Sequence, residues 1–409
     1  MTPRALRRLT LVVPLIAFVL SGCAADRPKN VILFIGDGMG AGQVQAARAY
    51  QGRPLAFETF EGRGLVSTHS ADNEVTDSAA AATAMATGHK VDNHVLSVAI
   101  PANADYAEGA PMLTVLEEAA RRGKSSGLVT TTSITHATPA AFAAHVSARA
   151  GVAEIAAQYL ADSRPQLLLG GGGQGMSPEA AAAAGYRVVM DRGRLQAVRD
   201  DGLTVPRLSG QFGSGHMPYE ADHPAAYESL PRLSEMTATA LALLDNDRDG
   251  FFLMVEGGRI DMACHDNRLD LAVAETLELE RAVQAALRWA GGRADTLIIV
   301  VADHETGGLA VERDSGAGEL PGVSWSGKSH TGAAVQIWAR GRGAHAVCGR
   351  MDNTEIHHII LNPGARTCPG HVSPCRAVAR SPAEARPAPP VAVSGDVSMS
   401  GTASGRIQE

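Results

Sequence analysis

Acidic and imidazole side chains gather where apolar runs of this 409-residue chain end. They are Asp37 after the run 31–36, Glu256, Asp261 and His265 after the run 251–255, and Asp303 and His304 after the run 297–302. Imidazole favours Zn²⁺ as a ligand, and oxygen-rich ligand sets favour Mg²⁺. Asp261 and His265 are four residues apart, so one helical turn would aim both at one ion. The cluster predicts more than one metal ion, and His330, in a Gly-flanked segment, could complete a site.

A serine at a predicted helix start is the second chemical feature. Ser78 lies in VTDSAAAATAMATG, residues 75–88, between Asp77 and an alanine-rich stretch. Backbone N–H groups and the helix dipole favour an anion at such a position. Taken alone, the segment indicates an ordinary N-cap, because Thr76, Asp77 and Ser78 are all good capping residues. A serine hydroxyl is a poor nucleophile unless a base or a metal ion activates it, and the acidic cluster could supply the metal.

Buried strands must position these side chains. Apolar, β-branched runs at residues 31–36, 127–132, 167–172, 251–257 and 296–304 alternate with helical stretches, which predicts an α/β fold with helices on both faces of a mostly parallel sheet. Ligands bind such sheets beyond the carboxyl ends of the strands, where the acidic cluster lies. The long connections 91–111 and 305–329 are predicted to be surface loops.

Composition narrows the class of protein. The chain is 45% hydrophobic and 19% charged, as in ordinary globular proteins. A net charge of −7 with 4% aromatic residues gives no electrostatic footprint for nucleic acid, so we expect no nucleic acid as a specific partner.

The N-terminus is typical of a secretory signal. Three arginines precede an apolar run at residues 9–20, which is too short for a membrane span, and Leu20-Ser21-Gly22-Cys23 resembles the bacterial lipobox. We therefore predict a lipoprotein signal peptide at 1–22, lipidation of Cys23 and a short linker over 23–29. The protein would be exported and anchored to a membrane, facing the periplasm or the cell exterior. An ordinary signal peptide with a chance cysteine is the alternative.

The rest of the chain is predicted to be one catalytic domain, 30–365, followed by a Pro/Ala/Ser-rich, disordered tail, 366–409. Besides Cys23, the chain has an even number of cysteines, and export permits disulfides. Four cysteines allow three complete pairings, and the sequence does not choose among them: Cys264, Cys348, Cys368 and Cys375.

Six motifs of this sequence closely resemble those of one family, the alkaline phosphatases. In chain order they are NVILFIGDGMG, VTDSAAAATAMATG, HATPAAFAAHVSAR, FFLMVEGGRIDMACH, VVADHETGG and SHTG. The resemblance spans about residues 30–350 and implies a two-zinc phosphomonoesterase that forms a phosphoserine. It also implies an alkaline phosphatase-like three-layer fold, here with a reduced surface insertion, and a homodimer.

The resemblance assigns a role to each matching position. Ser78 would be the nucleophile, Arg149 would clamp the substrate phosphate and Asp77 would steady Arg149. One Zn²⁺ would be held by Asp261, His265 and His330, the second by Asp37, Asp303 and His304, and one Mg²⁺ by Asp37, Thr138 and Glu256.

Two positions depart from the best-known bacterial form. His136, which we place in the substrate-binding site, stands where that form has an aspartate, and Met262 stands where it has a lysine. We expect looser magnesium binding and faster phosphate release at higher pH as a result.

Two other functions fit parts of the pattern. A phosphodiesterase or sulfatase-like metallohydrolase of the same superfamily would keep similar metal ligands, but Asp77, Ser78 and Arg149 together are typical of the monoesterases. A non-catalytic metal- or phosphate-binding lipoprotein would not need the nucleophile.

Overall fold

A sheet of ten strands runs through the molecule in the computed structural model, which describes residues 27–200, 206–221, 224–366 and 368. The predicted signal peptide, Cys23, Cys375 and nearly all of the predicted tail lie outside these residues. The strands are β1 (Asn30–Gly36), β2 (Gly62–Ser67), β3 (Ser125–Ser133), β4 (Leu167–Gly171), β5 (Arg187–Val189), β6 (Leu208–Gln211), β7 (Phe251–Gly257), β8 (Thr296–Ala302), β9 (Glu305–Thr306), β10 (Leu309–Arg313), β11 (Gly322–Trp325), β12 (His330–Thr331), β13 (Val335–Gly341) and β14 (Cys348–Asp352).

The strand order of the large sheet is β14-β2-β13-β8-β1-β7-β3-β4-β6-β5. Strand β13 is antiparallel to both of its neighbours, whereas the other pairings in this sheet are parallel. Every residue of β1, β7 and β8 is buried, because helices cover both faces of the central strands. The predicted α/β fold with a mostly parallel sheet is confirmed.

Eleven α-helices surround the sheet in the described residues. They are α1 (Ala41–Gln51), α2 (Ser78–Thr87), α3 (Val115–Arg121), α4 (Ala137–Ala143), α5 (Val152–Gln158), α6 (Pro178–Ala183), α7 (Arg192–Asp200), α8 (Leu233–Leu244), α9 (Arg259–His265), α10 (Leu269–Ala290) and α11 (Thr354–Leu361). Helix α2 is buried at all ten positions, which its small alanine side chains permit, and it ends at Gly88 with a φ of 77°. None of the helices in the described part of the chain is long and apolar enough to cross a membrane.

Both predicted surface loops need correction. The segment 305–329 contains paired strands: β9 pairs with β12, and β10 with β11. The segment 91–111 has no helix or strand, yet Val91, Leu96 and Ala99 are buried in it. The burial of these three apolar residues could not be predicted from the sequence, because their spacing matches neither a helical nor a strand period.

A disulfide joins Cys348, at the start of β14, to Cys368. Cys264 is a buried free thiol in α9. The structure therefore selects one of the bridges that the sequence left open, and it fastens the last described residue to an outer strand of the sheet.

Candidate active site

Three adjacent strands bring the predicted acidic residues to one edge of the sheet. Strands β8, β1 and β7 lie side by side in parallel. Asp37 follows β1, Glu256 is the penultimate residue of β7, and Asp303 follows β8; all three are completely buried. The carboxyl ends of the strands thus form the floor of the candidate site, as the sequence predicted.

The ligand-type atoms near this edge form three groups, within each of which they lie no more than 4.8 Å apart. We call them the two-histidine group (Asp261, His265 and His330), the central group (Asp37, Asp261 and His304) and the third group (Asp37, His136 and Glu256). Six of the eight predicted metal ligands belong to these groups. A seventh, Asp303, lies beside the central group, because its Oδ2 is 3.4 Å from His304 Nε2.

The two-histidine group shows how the backbone orients imidazole rings. His330 Nδ1 lies 2.9 Å from the Thr76 carbonyl oxygen, and His265 Nδ1 contacts the Lys328 carbonyl oxygen. Since a carbonyl oxygen can only accept, each Nδ1 carries a proton, so each Nε2 presents a lone pair when the ring is neutral. The two Nε2 atoms face each other at 3.1 Å, and His265 Nε2 is 3.2 Å from Asp261 Oδ2. Lone pairs brought together in this way fit a shared cation.

Buried carboxyl groups crowd the floor of the site. Burial, and then the carboxyl groups of Asp303, Asp261 and Glu256, raise the pKa of Asp37 well above its ordinary value. Burial also raises the pKa of Glu256 to about 7, although hydrogen bonds from the Thr130 hydroxyl and from a second threonine oppose the shift. Crowding of this kind is costly for the ionised groups unless a cation lies among them.

Unpaired oxygen atoms complete the test of a metal site. Within the described residues, both Asp37 carboxylate oxygens, Asp303 Oδ2 and Glu256 Oε1 are buried without a hydrogen-bond partner. Buried polar atoms are rarely left unsatisfied. The Thr138 hydroxyl oxygen is likewise completely buried without a hydrogen-bond partner among the described residues. The residues present therefore fit divalent ions in both the oxygen-rich and the imidazole-rich part of the site.

Ser78 is the first residue of α2 and is almost completely buried. Its Oγ lies 3.4 Å from His304 Nε2, at the border of the central group. Asp77 is the N-cap, since its Oδ1 accepts the Ala80 N–H at 3.0 Å. The structure thus contains the helix cap that the sequence indicated and, beside it, a serine next to ligand-type atoms.

Arg149 is held by two side chains. Its Nη1 donates to Asp77 Oδ2 at 2.9 Å, and its Nη2 lies 3.1 Å from His136 Nε2. The arginine can only donate, so His136 Nε2 accepts. Desolvation, and then the Arg149 charge, lower the pKa of His136 to about 3, which keeps the ring neutral. A planar guanidinium fixed on one side in this way can offer its remaining N–H groups to phosphate oxygens.

Sequence reasoning missed His94. Its backbone N–H donates to Asp77 Oδ1 at 3.1 Å, and its Nδ1 lies 3.0 Å from Asp77 Oδ2. The carbonyl oxygen of His94 accepts the backbone N–H of Arg149 at 2.8 Å. The residue adopts a φ of 73°, which is uncommon outside glycine and often marks a functional site. No periodic pattern or ligand spacing in segment 91–111 signals this role.

Thr306 was missed as well, although it lies inside one of the six motifs. Its hydroxyl donates to Asp261 Oδ1 at 2.5 Å and lies 3.2 Å from His304 Nδ1. Pairing of β9 with β12 sets Thr306 opposite His330. Thr306 therefore orients Asp261 of the two-histidine group and His304 of the central group. This role depends on the pairing of β9 with β12, which the sequence does not reveal.

Comparison with known proteins gives a consistent result. The family profile described as alkaline phosphatase matches residues 28–322. Alkaline phosphatase 3 of Bacillus subtilis is 37% identical over 308 residues, which are 71% of this chain and 63% of that protein. Alkaline phosphatase of Escherichia coli K12 is 32% identical over 414 residues, covering 82% of this chain and 86% of that protein. The chain belongs to the alkaline phosphatase family.

The solved structure of alkaline phosphatase from the Antarctic bacterium TAB5 superposes with a TM-score of 0.71 at 27% identity, covering 84% of this chain and 99% of that one. Variants of the TAB5 enzyme in which a histidine is replaced by aspartate or glutamate have Mg bound in a site called M3. The chain spans 63% and 62% of the length of its two Bacillus subtilis relatives.

Proposed function

We propose that this protein hydrolyses phosphate monoesters to an alcohol and inorganic phosphate, through a phosphoserine on Ser78. The observation that carries the proposal is the position of Ser78 Oγ, at a helix start and 3.4 Å from His304 Nε2, next to an Arg149 that Asp77 and His136 hold in place. Membership of the alkaline phosphatase family supports it.

We expect the metal ligands to divide as the family resemblance implies. Two Zn²⁺ would be held by Asp261, His265 and His330 and by Asp37, Asp303 and His304, and one Mg²⁺ by Asp37, Thr138 and Glu256. The chemistry that bound ions would supply here is polarisation of the ester and stabilisation of charge on the attacking and departing oxygens.

The side chains of this chain bind, orient and attack. Arg149 donates N–H groups to two phosphate oxygens and holds the phosphorus over α2. The backbone N–H groups at the start of α2 add donors for the same anion. Ser78 Oγ attacks the phosphorus atom in line with the ester oxygen, which departs as the alcohol; water then attacks the phosphoserine and releases phosphate. Catalysis on this plan is mainly positioning, because the phosphoryl charge spreads over three oxygens.

His136 gives the third group an imidazole where an aspartate would give oxygen. Imidazole suits Mg²⁺ poorly, so we infer that magnesium binds weakly here or is replaced by another divalent ion. The aspartate and glutamate variants of the TAB5 enzyme, with Mg in their M3 site, support this inference. Met262 leaves no lysine beside Asp261, and Arg259 Nη1 contacts the Met262 sulfur at 3.0 Å.

We also propose that the protein is exported, anchored to a membrane through lipidated Cys23 and homodimeric. The lipobox-like sequence supports the anchor, and the family resemblance supports the dimer.

A Ser78→Ala variant tests the proposal. We expect turnover of a soluble monoester to fall by at least about 10⁴-fold, while a phosphate analogue still binds. Ser177→Ala is the control for the loss of a serine at a helix start: Ser177 caps α6 through the Ala180 N–H at 3.1 Å and belongs to none of the three ligand groups. Multiple turnovers by the Ser78→Ala protein would refute the phosphoserine route.

Two further measurements separate the alternatives. A phosphodiester or sulfate ester hydrolysed faster than the monoester would favour the related metallohydrolases. Absence of turnover in the wild-type protein after chelation and re-addition of Zn²⁺ and Mg²⁺ would favour a binding protein.

A further inference from the structure

The edge of the sheet opposite the candidate active site forms one continuous surface, which we call the amino edge. It consists of residues 27–29, 121–125, 245–250, 293–296 and 340–342. Hydrogen bonds join these segments: Lys29 N–H donates to the Asp295 carbonyl at 2.7 Å, Ser125 N–H to the Gly250 carbonyl at 3.1 Å, and Lys124 Nζ to the Lys29 carbonyl at 2.6 Å. The amino ends of β1, β3, β7 and β8 all begin here.

We propose that the amino edge is a docking surface for an anionic lipid bilayer, so that the candidate active site opens away from the membrane. The inference goes beyond the phosphatase activity and rests on the lipid anchor proposed for Cys23. Charge, an apolar cavity and the length of the tether each support it.

Charge at the amino edge is opposite to that of the chain as a whole. Its five segments contain nine Lys or Arg residues and four Asp residues, whereas the chain carries a net charge of −7. The exposed members include Arg27, Arg121, Arg248 and Arg340. Screening limits a membrane's field to about 8 Å at physiological salt, so an anionic surface would meet this local excess of positive charge rather than the acidic remainder.

The basic groups of the amino edge act on one another. Burial, followed by the charges of Arg122 and Lys29, lowers the pKa of Lys124, and Asp247 and Asp249 only partly oppose the shift. Arg122 is already paired with Glu118 at 2.6 Å, yet it still repels Lys124. An anionic headgroup placed here would relieve this repulsion.

A mainly apolar cavity of about 200 Å³ opens beside these basic residues. Its apolar walls include Val31, Phe251 and Ile360, and its charged lining consists of Arg27, Arg122 and Lys124. Apolar walls next to cationic side chains match an amphiphile with an anionic head, which is the chemistry of an anionic phospholipid.

The tether is short enough to hold this edge at a bilayer. Only three residues lie between Cys23 and Arg27, so the four Cα-to-Cα steps span at most about 14 Å. Strand β1 then runs seven residues from the amino edge to Asp37, a rise of about 23 Å. With Cys23 in the bilayer, the lipid surface lies near the amino edge and the ligand groups lie on the far side of the sheet.

Energy transfer from tryptophan to a dansyl-headgroup lipid measures this orientation. Trp289 adjoins the amino edge, because the Arg293 guanidinium of that edge lies 4.4 Å above its ring. Trp325 packs against Gly307 beside the candidate site. The mature lipidated protein is reconstituted in vesicles of neutral phosphatidylcholine, or in vesicles with about one third phosphatidylglycerol. The third tryptophan, Trp338, lies on β13 two residues from Arg340, so it is replaced by phenylalanine in every protein tested. We expect more transfer on anionic than on neutral vesicles. High salt should remove this excess, Trp289→Phe should abolish it and Trp325→Phe should retain it.

Charge reversal supplies the control. The test protein replaces three exposed arginines of the amino edge by glutamate: Arg27→Glu, Arg121→Glu and Arg122→Glu. The control protein replaces three exposed arginines elsewhere: Arg53→Glu, Arg194→Glu and Arg313→Glu. The test protein should lose the salt-sensitive transfer and the control protein should keep it. Equal transfer on neutral and anionic vesicles, or equal loss in both proteins, would overturn the proposal.

Measurements on the same vesicles distinguish the docking surface from the two proposals on which it rests, the phosphatase activity and the lipid anchor. Turnover of a soluble monoester reports the phosphatase activity, and flotation with the vesicles reports the anchor. Salt-insensitive transfer with turnover and flotation intact overturns the docking surface alone. Salt-sensitive transfer without turnover overturns the phosphatase alone, and a protein that does not float overturns the anchored arrangement as a whole.

Discussion

One carboxylate oxygen of Asp77 caps a helix and the other holds Arg149, and two substitutions can separate these two roles. Oδ1 caps α2 through the Ala80 N–H at 3.0 Å, and Oδ2 holds Arg149 at 2.9 Å. Asp77→Asn keeps a capping oxygen but removes the charge that pairs with Arg149, whereas Asp77→Ala removes both interactions. We expect both variants to bind phosphate more weakly and the alanine variant to be the less stable.

The structure sets the size of each effect. The side chains of Asp77 and Arg149 are 11% and 25% exposed, so their ion pair falls between an exposed pair, worth about 1 kcal/mol or less, and a buried pair, which costs about 3 kcal/mol or more to break. Asp77→Asn should therefore lose about 1.5 kcal/mol of unfolding free energy. Loss of the N-cap adds about 1 kcal/mol in Asp77→Ala.

Phosphate affinity should respond to the loosened guanidinium. In both variants Arg149 keeps its contact with His136 at 3.1 Å but loses its charged anchor. A positioning loss of this kind is expected to raise KM and the inhibition constant for phosphate by about tenfold, equal to about 1.4 kcal/mol.

The assay combines inhibition by phosphate with urea unfolding in the presence of a chelator, since bound ions would add stability of their own. Asp191→Asn is the control, because Asp191 also accepts a helix-start N–H, from Arg194 at 2.8 Å, and pairs with the same arginine far from the site. Equal stability of the two Asp77 variants would refute the capping role. Unchanged or tighter phosphate binding would refute the positioning role.

Three further predictions concern pH, covalent structure and metal. The contact at 2.9 Å with Glu117 raises the pKa of His145 above 6.5 against the opposing effect of burial, and likewise lowers that of Glu117 below 4.5. The histidine's contribution is lost as pH rises through its folded pKa, and the glutamate's as pH falls through its own. The stability difference between wild type and His145→Gln, from urea unfolding across pH, should therefore be largest between 4.5 and 6.5, and a flat difference would contradict the pairing. Cys348→Ala opens the 20-residue loop that the bond to Cys368 closes, so its free energy of unfolding should be about 3 kcal/mol below that of the oxidised wild type. Relative to the wild type with its disulfide reduced, we expect no loss. His136→Asp adds an oxygen to the third group and should tighten Mg²⁺ binding about tenfold by calorimetry on chelator-treated protein; unchanged affinity would argue against a magnesium role for this group.

The sequence predicted the central strands well because they are buried on both faces. Runs such as 31–36 and 251–257 are apolar at nearly every position, and few other structures suit runs so short. The acidic residues that follow them then met at one edge, as parallel strands require. Strands β5 and β6 carry three and four residues of mixed polarity, so they left no readable pattern.

The candidate ligand residues could be predicted because carboxylate and imidazole groups are distinctive at strand ends. The contacts that support these residues could not be predicted. His94 reaches Asp77 through a backbone turn with a φ of 73°, and Thr306 reaches Asp261 through a two-residue strand pairing. Both contacts depend on how segments distant in sequence pack against each other. The spacing of residues within one segment does not predict such packing.

The central position of β1 has a consequence for how the protein is made. Its neighbours in the sheet come from far along the chain: Asn30 bonds Thr296 across 266 residues, and Gly38 bonds Asp303 across 265. Contacts of such long range form slowly, because the intervening loop must close before any pairing is gained. The two-histidine group cannot assemble until residue 330 has left the ribosome, and β1 has neither of its sheet neighbours until β7 has been made. Synthesis and folding are thereby separated in time, which would suit the export proposed above for this chain.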